Sequence, residues 1–159
     1  LSSAGLGIDQ YPYYDYDSHN VRFEEMLACL GNIEAGDVVM LHGCCHNPCG
    51  ADLSQEQWRQ IRNIALQQGF TVFIDLAYQG LGDGLEEDVY GARLLAESLP
   101  ELIVVTSCSK NFGLYRERTG AMTLVTDSDA TTAIATTQIA AAARALSTLK
   151  KSTSSAFCL

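Results

Sequence analysis

An α/β fold built on a mostly parallel sheet is the architecture this sequence predicts, and three observations predict it. Short apolar runs rich in β-branched residues alternate with amphipathic segments along the chain. Helix start and stop residues flank the amphipathic segments. The length of 159 residues suits one domain, and a chain of that size buries roughly two-thirds of its unfolded surface. Strands alternating with helices imply βαβ units with right-handed crossovers.

The elements follow in order. Asn20 stands before "VRFEEMLACL", where Phe23, Met26, Leu27 and Leu30 recur at three- and four-residue steps and Gly31 follows as a stop, so an amphipathic helix is expected over 21–30. "DVVML" (37–41) is a short apolar run that ends in a Gly-containing stretch, the pattern of a buried strand. Ser54 three residues before Gln57 is a capping box, and Trp58, Ile61 and Ala65 share one face before Gly69 closes the helix. "TVFI" (71–74) is a second strand, "EEDVYGARLLAESL" (86–99) a helix and "LIVVT" (102–106) a third strand. Only about a dozen residues separate "LIVVT" from "GAMTLVT" (120–126), too few for a parallel crossover containing a helix, so this strand is expected to run antiparallel. From Asp129 to about Lys150 the chain is Ala-rich and helical in character, and "KKSTSSAFCL" reads as a frayed tail or a truncation scar over 151–159.

Ten basic against nineteen acidic residues, net −9, argue against a nucleic-acid partner and an anionic membrane surface, since both need a basic face. No apolar run approaches the roughly 20 residues of a membrane span, and no signal-like start is present. The expectation is a soluble, cytoplasmic protein. Cys29, Cys44, Cys45, Cys49, Cys108 and Cys158 lie in apolar or Gly-rich segments and read as free thiols of a reducing compartment. A chain that begins on Leu1 reads as a piece of something longer.

"HGCCHNPCG" (42–50) packs three cysteines and two histidines into nine positions. A metal knot is disfavoured because adjacent Cys44 and Cys45 splay apart on a strand end and no paired C-x-x-C spacing occurs, so no metal is expected. In an open α/β sheet, ligands bind beyond the carboxyl ends of the strands. There the sequence places His42, His46 and Asn47, then Asp75 and Tyr78, then Ser107, Ser109 and Lys110, with Arg118 eight positions after Lys110. Each residue alone has an ordinary reading, Asp as a turn or cap residue and Lys or Arg as a solvated loop charge. Together they offer a lysine able to form a Schiff base, an Asp partner for a pyridinium nitrogen, and hydroxyl or cationic groups for a phosphate. That is what pyridoxal phosphate requires of a protein.

"HNPCG", "DLAYQGLGDGLEEDVYG" and "SCSKNFGLYRERTGA" resemble segments of the aspartate/aromatic amino-acid aminotransferases, class I, of the fold-type-I pyridoxal enzymes. The likeness runs from about "YPYYDYD" (11–17) to "TLVT" (123–126), and "SKNFGLYRER" is its most specific part. The resemblance implies a three-layer αβα large domain, incomplete here, with residues 1–150 as its central part, and a parent that is a homodimer. It implies Lys110 as the Schiff-base lysine and general base, Asp75 as partner of the ring nitrogen, and Asn47 and Tyr78 as donors to the ring's phenolic oxygen. Ser107 and Arg118 would hold the phosphate, Arg118 through a forked contact. His42 resembles a histidine behind the Asp and reads equally as an ordinary core histidine; His46 has no assigned role. The Asn47–Pro48 peptide would be cis, and Cys49 departs from the Thr usual at its position.

The function so implied is transamination between an aromatic or aspartate-like amino acid and a 2-oxo acid such as 2-oxoglutarate, and "GCCHNPCGADL" leans toward the aromatic-preferring branch. Two other readings stand beside it. "GLGDG" (80–84), a Gly-rich loop between strand and helix, could cradle a nucleotide phosphate. Alternatively the chain is an inactive fragment serving structure or interaction. It has no counterpart of the family's upstream phosphate loop, ring-stacking aromatic, carboxylate-clamping arginine or small domain. Exposed sheet edges would then favour association.

Overall fold

The computed structural model describes residue 5 and residues 7–152, with side chains described through residue 144. The described residues fall in two units that meet in sequence at Val125 and Thr126. The first unit holds β1 (Tyr14–Asp15), β2 (Asn20–Val21), α1 (Phe23–Leu30), β3 (Val38–His42), α2 (Gln55–Gln68), β4 (Thr71–Leu76), α3 (Tyr90–Ala96), β5 (Leu102–Ser107), α4 (Cys108–Asn111) and β6 (Gly120–Val125). The second is a single helix, α5 (Asp129–Ser152), started by Ser128, whose Oγ accepts from Thr131 N at 3.2 Å.

The main sheet has the order β3-β4-β5-β6. Its first three strands are parallel, and β6 returns antiparallel to β5, as the short connection required. Burial alternates along β3 and β4: Val39, Leu41, Val72, Ile74 and Leu76 are sealed, whereas Val38 and Met40 are exposed. The sealed face meets Met26 and Leu30 of α1, Trp58, Ile61 and Ala65 of α2, and Leu95 of α3 in one hydrophobic core. The core thus sits on one side of the sheet, and two of the three expected layers are present in this unit.

α2 follows its local signals closely. Ser54 Oγ accepts from Gln57 N, the Gln57 side chain accepts from Ser54 N, and Gly69 ends the helix at φ 76°, a left-handed conformation that glycine adopts without strain. α3 lies so close to α2 that a Cβ at Gly91 would stand 2.4 Å from the Trp58 ring.

Several elements differ from expectation. Asn20 does not start α1. Val21 pairs with Tyr14 and packs on the core, Arg22 N donates to Tyr13 O at 2.8 Å, and the helix begins at Phe23 without a side-chain cap. Strand pairing and burial of Val21 outweigh the capping tendency of Asn20. α3 begins at Tyr90 rather than residue 86, because the preceding residues wrap around Asp88. The buried Asp88 carboxylate accepts N–H bonds from Gly80 (2.8 Å), Gly82 (3.0 Å), Asp83 (2.8 Å) and Gly84 (3.4 Å). The "GLGDG" loop is therefore closed on an internal carboxylate, and the amides that a nucleotide phosphate would need are already taken. Of the tail expected over 151–159, Lys151 and Ser152 finish α5, and residues 153–159 lie outside the described residues.

Candidate active site

Residues expected just past the strands are mostly inside them. His42 closes β3, Asp75 is the penultimate residue of β4, and Ser107 closes β5. The ladder pairs His42 with Asp75 and Asp75 with Val105, so His42, Asp75 and Ser107 share the face opposite Leu41 and Ile74. A period of two, read through the register, puts a carboxylate, an imidazole and a hydroxyl on one rim of the uncovered face. The Asp75 side chain is half-buried and has no hydrogen-bond or ionic partner among the described residues.

Beyond β5 the chain turns at once into α4. Ser107 Oγ accepts from Ser109 N at 3.1 Å, starting this short helix and orienting Lys110. Lys110 Nζ then reaches Tyr78, in the turn after β4: it donates to Tyr78 Oη at 3.2 Å and stands 4.6 Å from the ring centroid. Cys108 N donates to Thr119 O at 2.9 Å, tying α4 to the segment that carries Arg118. Arg118 is exposed, donates through Nη1 to Tyr115 O at 3.4 Å, and holds φ 53°. A non-glycine residue there carries backbone strain of order 1–3 kcal/mol, a cost met most often at functional sites.

Asn47 is exposed in the turn after β3, its peptide with Pro48 is cis, and its side chain makes no hydrogen bond among the described residues. The structure thus brings Lys110 to Tyr78 and His42 to Asp75, places Ser107 at the base of Lys110, and leaves Asn47 and Arg118 on the two flanking loops.

His46, unassigned in the sequence, is the centre of a side-chain cluster. Its ring stacks on Tyr13 at 4.0 Å and 14°, lies 4.4 Å from the His42 ring, and places Nδ1 3.1 Å from Cys49 Sγ. Burial, followed by the proximity of His42, holds His46 below the ordinary imidazole range. Tyr13 Oη donates to Ala51 O at 2.7 Å, and burial, then Asp52 and Cys49, push that phenol up. Burial alone pushes Tyr11, which donates to Met40 O at 2.6 Å, up to about 12. The one sequence signal for the cluster was the three-residue spacing of His46 and Cys49 across an Asn-Pro turn. Among the described residues no three or more His, Cys, Asp or Glu side chains are grouped to hold a metal ion.

A carboxylate with no partner among the described residues, an amine bonded to a phenol and a hydroxyl that caps α4 thus stand at the ends of β4 and β5, with a guanidinium on the loop that follows. The sequence matches the family model for aminotransferase class I and II over residues 1–157. The chain belongs to that family. The match extends beyond residues 11–126, the stretch whose motifs resemble the family. Among aminotransferases, the aromatic-amino-acid enzyme of Paracoccus denitrificans is 52% identical over 122 residues, covering 77% of this chain and 31% of the relative. The aspartate aminotransferase of Escherichia coli (strain K12) is 47% identical over 145 residues, covering 91% of this chain and 37% of the relative. The aromatic-amino-acid aminotransferase from Burkholderia pseudomallei, solved covalently bound to pyridoxal phosphate, superposes with a TM-score of 0.83 at 42% identity, over 86% of this chain and 34% of that one. This aminotransferase chain therefore spans about a third of the length of the curated relatives it matches.

Proposed function

We propose that residues 1–150 are the central part of the pyridoxal-phosphate-binding large domain of an aminotransferase. The complete protein would move an amino group between an aromatic or aspartate-like amino acid and a 2-oxo acid such as 2-oxoglutarate, working as a cytosolic homodimer. The observation that carries this reading is the Lys110–Tyr78 contact of 3.2 Å, which joins the residues that follow β5 to those that follow β4, the strand that carries Asp75.

Pyridoxal phosphate, when bound, supplies a protonated pyridine ring that accepts electron density from the substrate Cα. Everything else is work for this chain. The Asp75 carboxylate would keep a proton on the ring nitrogen by a charge-assisted hydrogen bond. Tyr78 Oη and the Asn47 amide would donate to the phenolic oxygen, and Ser107 Oγ and the Arg118 guanidinium would hold the phosphate. Lys110 Nζ would be the attachment point and the group that takes and returns the substrate Cα proton. That task needs a neutral amine.

The test is to mix the chain with pyridoxal phosphate, trap any imine with borohydride, and locate the modified lysine by peptide mass against a Lys110→Ala control. Selective labelling of Lys110 over Lys150 and Lys151 supports a formed cofactor pocket. Equal labelling of all three, or none, means that this chain by itself is the inactive fragment of the alternative reading.

A further inference from the structure

Apart from the strand-end residues, the turn over 46–50 sets a thiol against an imidazole. Cys49 Sγ lies 3.1 Å from His46 Nδ1, and the cysteine is half-buried rather than sealed. The imidazole is held from several directions. Tyr13 stacks on it at 4.0 Å, His46 N donates to Asp52 Oδ1 at 2.8 Å, and Gly50 N donates to His46 O at 2.6 Å. Tyr13 is itself anchored through its hydroxyl to Ala51 O at 2.7 Å. Burial and His42 keep His46 below the ordinary imidazole range, so the neutral ring prevails near pH 7, and in its Nε2–H tautomer Nδ1 faces the thiol as an acceptor.

The other described cysteines lack this arrangement. Burial, then Asp88, pushes the Cys44 thiol up, and burial, then Asp52, does the same to Cys45, so both resist forming the reactive thiolate. Cys29 and Cys108 are half-buried like Cys49, but their sulfurs have no hydrogen-bond partner among the described residues.

We propose that Cys49, with His46 as its base, is a modification site for small hydroperoxides. His46 Nδ1 takes the Cys49 proton, and the sulfur attacks the terminal peroxide oxygen. A sulfur–oxygen bond forms as the oxygen–oxygen bond breaks, and the proton on His46 passes to the departing oxygen. With hydrogen peroxide the products are the Cys49 sulfenic acid and one water, sulfur being oxidised by two electrons and the peroxide reduced by two.

The chain is exposed to hydrogen peroxide in the presence of dimedone, and the adduct at each cysteine is followed with time by peptide mass. Cys49 should label about tenfold or more faster than Cys29 and Cys108 in the same molecule, and His46→Gln should bring it within about twofold of them. Equal rates at the three cysteines of the unaltered chain overturn the proposal, as does a Cys49 advantage that survives His46→Gln. The comparison within one unaltered molecule decides even where the variant folds poorly. No cofactor is involved, so the outcome is separate from that of the borohydride experiment.

Discussion

Lys110 Nζ meets Tyr78 Oη at 3.2 Å although 32 residues separate them, joining the helical turn after β5 to the turn after β4. The contact fixes the amine against a residue three positions beyond Asp75. It sets the first expectation about the site.

Tyr78→Phe removes one hydrogen bond of about 1 kcal/mol and keeps the ring. Borohydride-trapped pyridoxal phosphate at Lys110 should fall by roughly fivefold at subsaturating cofactor, with the thermal midpoint nearly unchanged. Undiminished labelling would show that the phenol does not position the amine.

Asp75→Asn replaces the unpartnered carboxylate with a neutral group of the same shape. A charge-assisted hydrogen bond is worth about 1.5–3 kcal/mol, so cofactor affinity in an absorbance titration should weaken roughly tenfold to a hundredfold while Lys110 remains the labelled residue. Equal affinity in the variant would remove Asp75 from the site.

Asp88 is expected to contribute to acid stability. Burial pushes its carboxyl up, but the N–H groups of Gly82, Asp83, Gly80 and Gly84 outweigh that and hold it below the usual carboxylate range. Since the folded value is the lower one, this contribution is complete above the unfolded carboxylate value of about 3.9 and is lost as pH falls from there through the folded value. Asp88→Asn should cost about 2–4 kcal/mol at neutral pH and flatten the acid limb of urea midpoint against pH. An unchanged acid limb would place the pH sensitivity in other carboxylates.

Gly91→Ala tests the α2–α3 contact, where the new Cβ would meet Trp58 at 2.4 Å. Overpacking of this kind costs about 1–3 kcal/mol, and each kcal/mol lowers the midpoint of a domain of this size by roughly 2–4 °C. A melting temperature within a degree of the parent would mean that the two helices separate at little cost.

What was legible in the sequence was local or strongly patterned. The strands at 38–42, 71–76 and 102–107 announced themselves by β-branched runs, and α2 by a capping box and a terminal glycine that the structure reproduces bond for bond. The β1–β2 hairpin was missed because two-residue strands have no period to detect. The start of α3 was misplaced because a helix-like run was claimed by Asp88 reaching back four to eight residues to the loop amides. The proposed site residues rest on motif likeness, which names residues one by one. The His46 cluster depends instead on Tyr13, 33 positions earlier, stacking on a turn, and no spacing rule carries that information.

The ladder that pairs His42 with Asp75 and Asp75 with Val105 has a consequence for timing. A slip of one residue in β4 would turn Asp75 into the core and Ile74 out toward the rim. Neither a collapsed chain nor a mispaired sheet can then display the carboxylate, the amine and the phenol together. Capture of a ligand by all of them would act as a coincidence detector for correct strand registry, appearing in a refolding experiment only after the last of β3, β4 and β5 has locked.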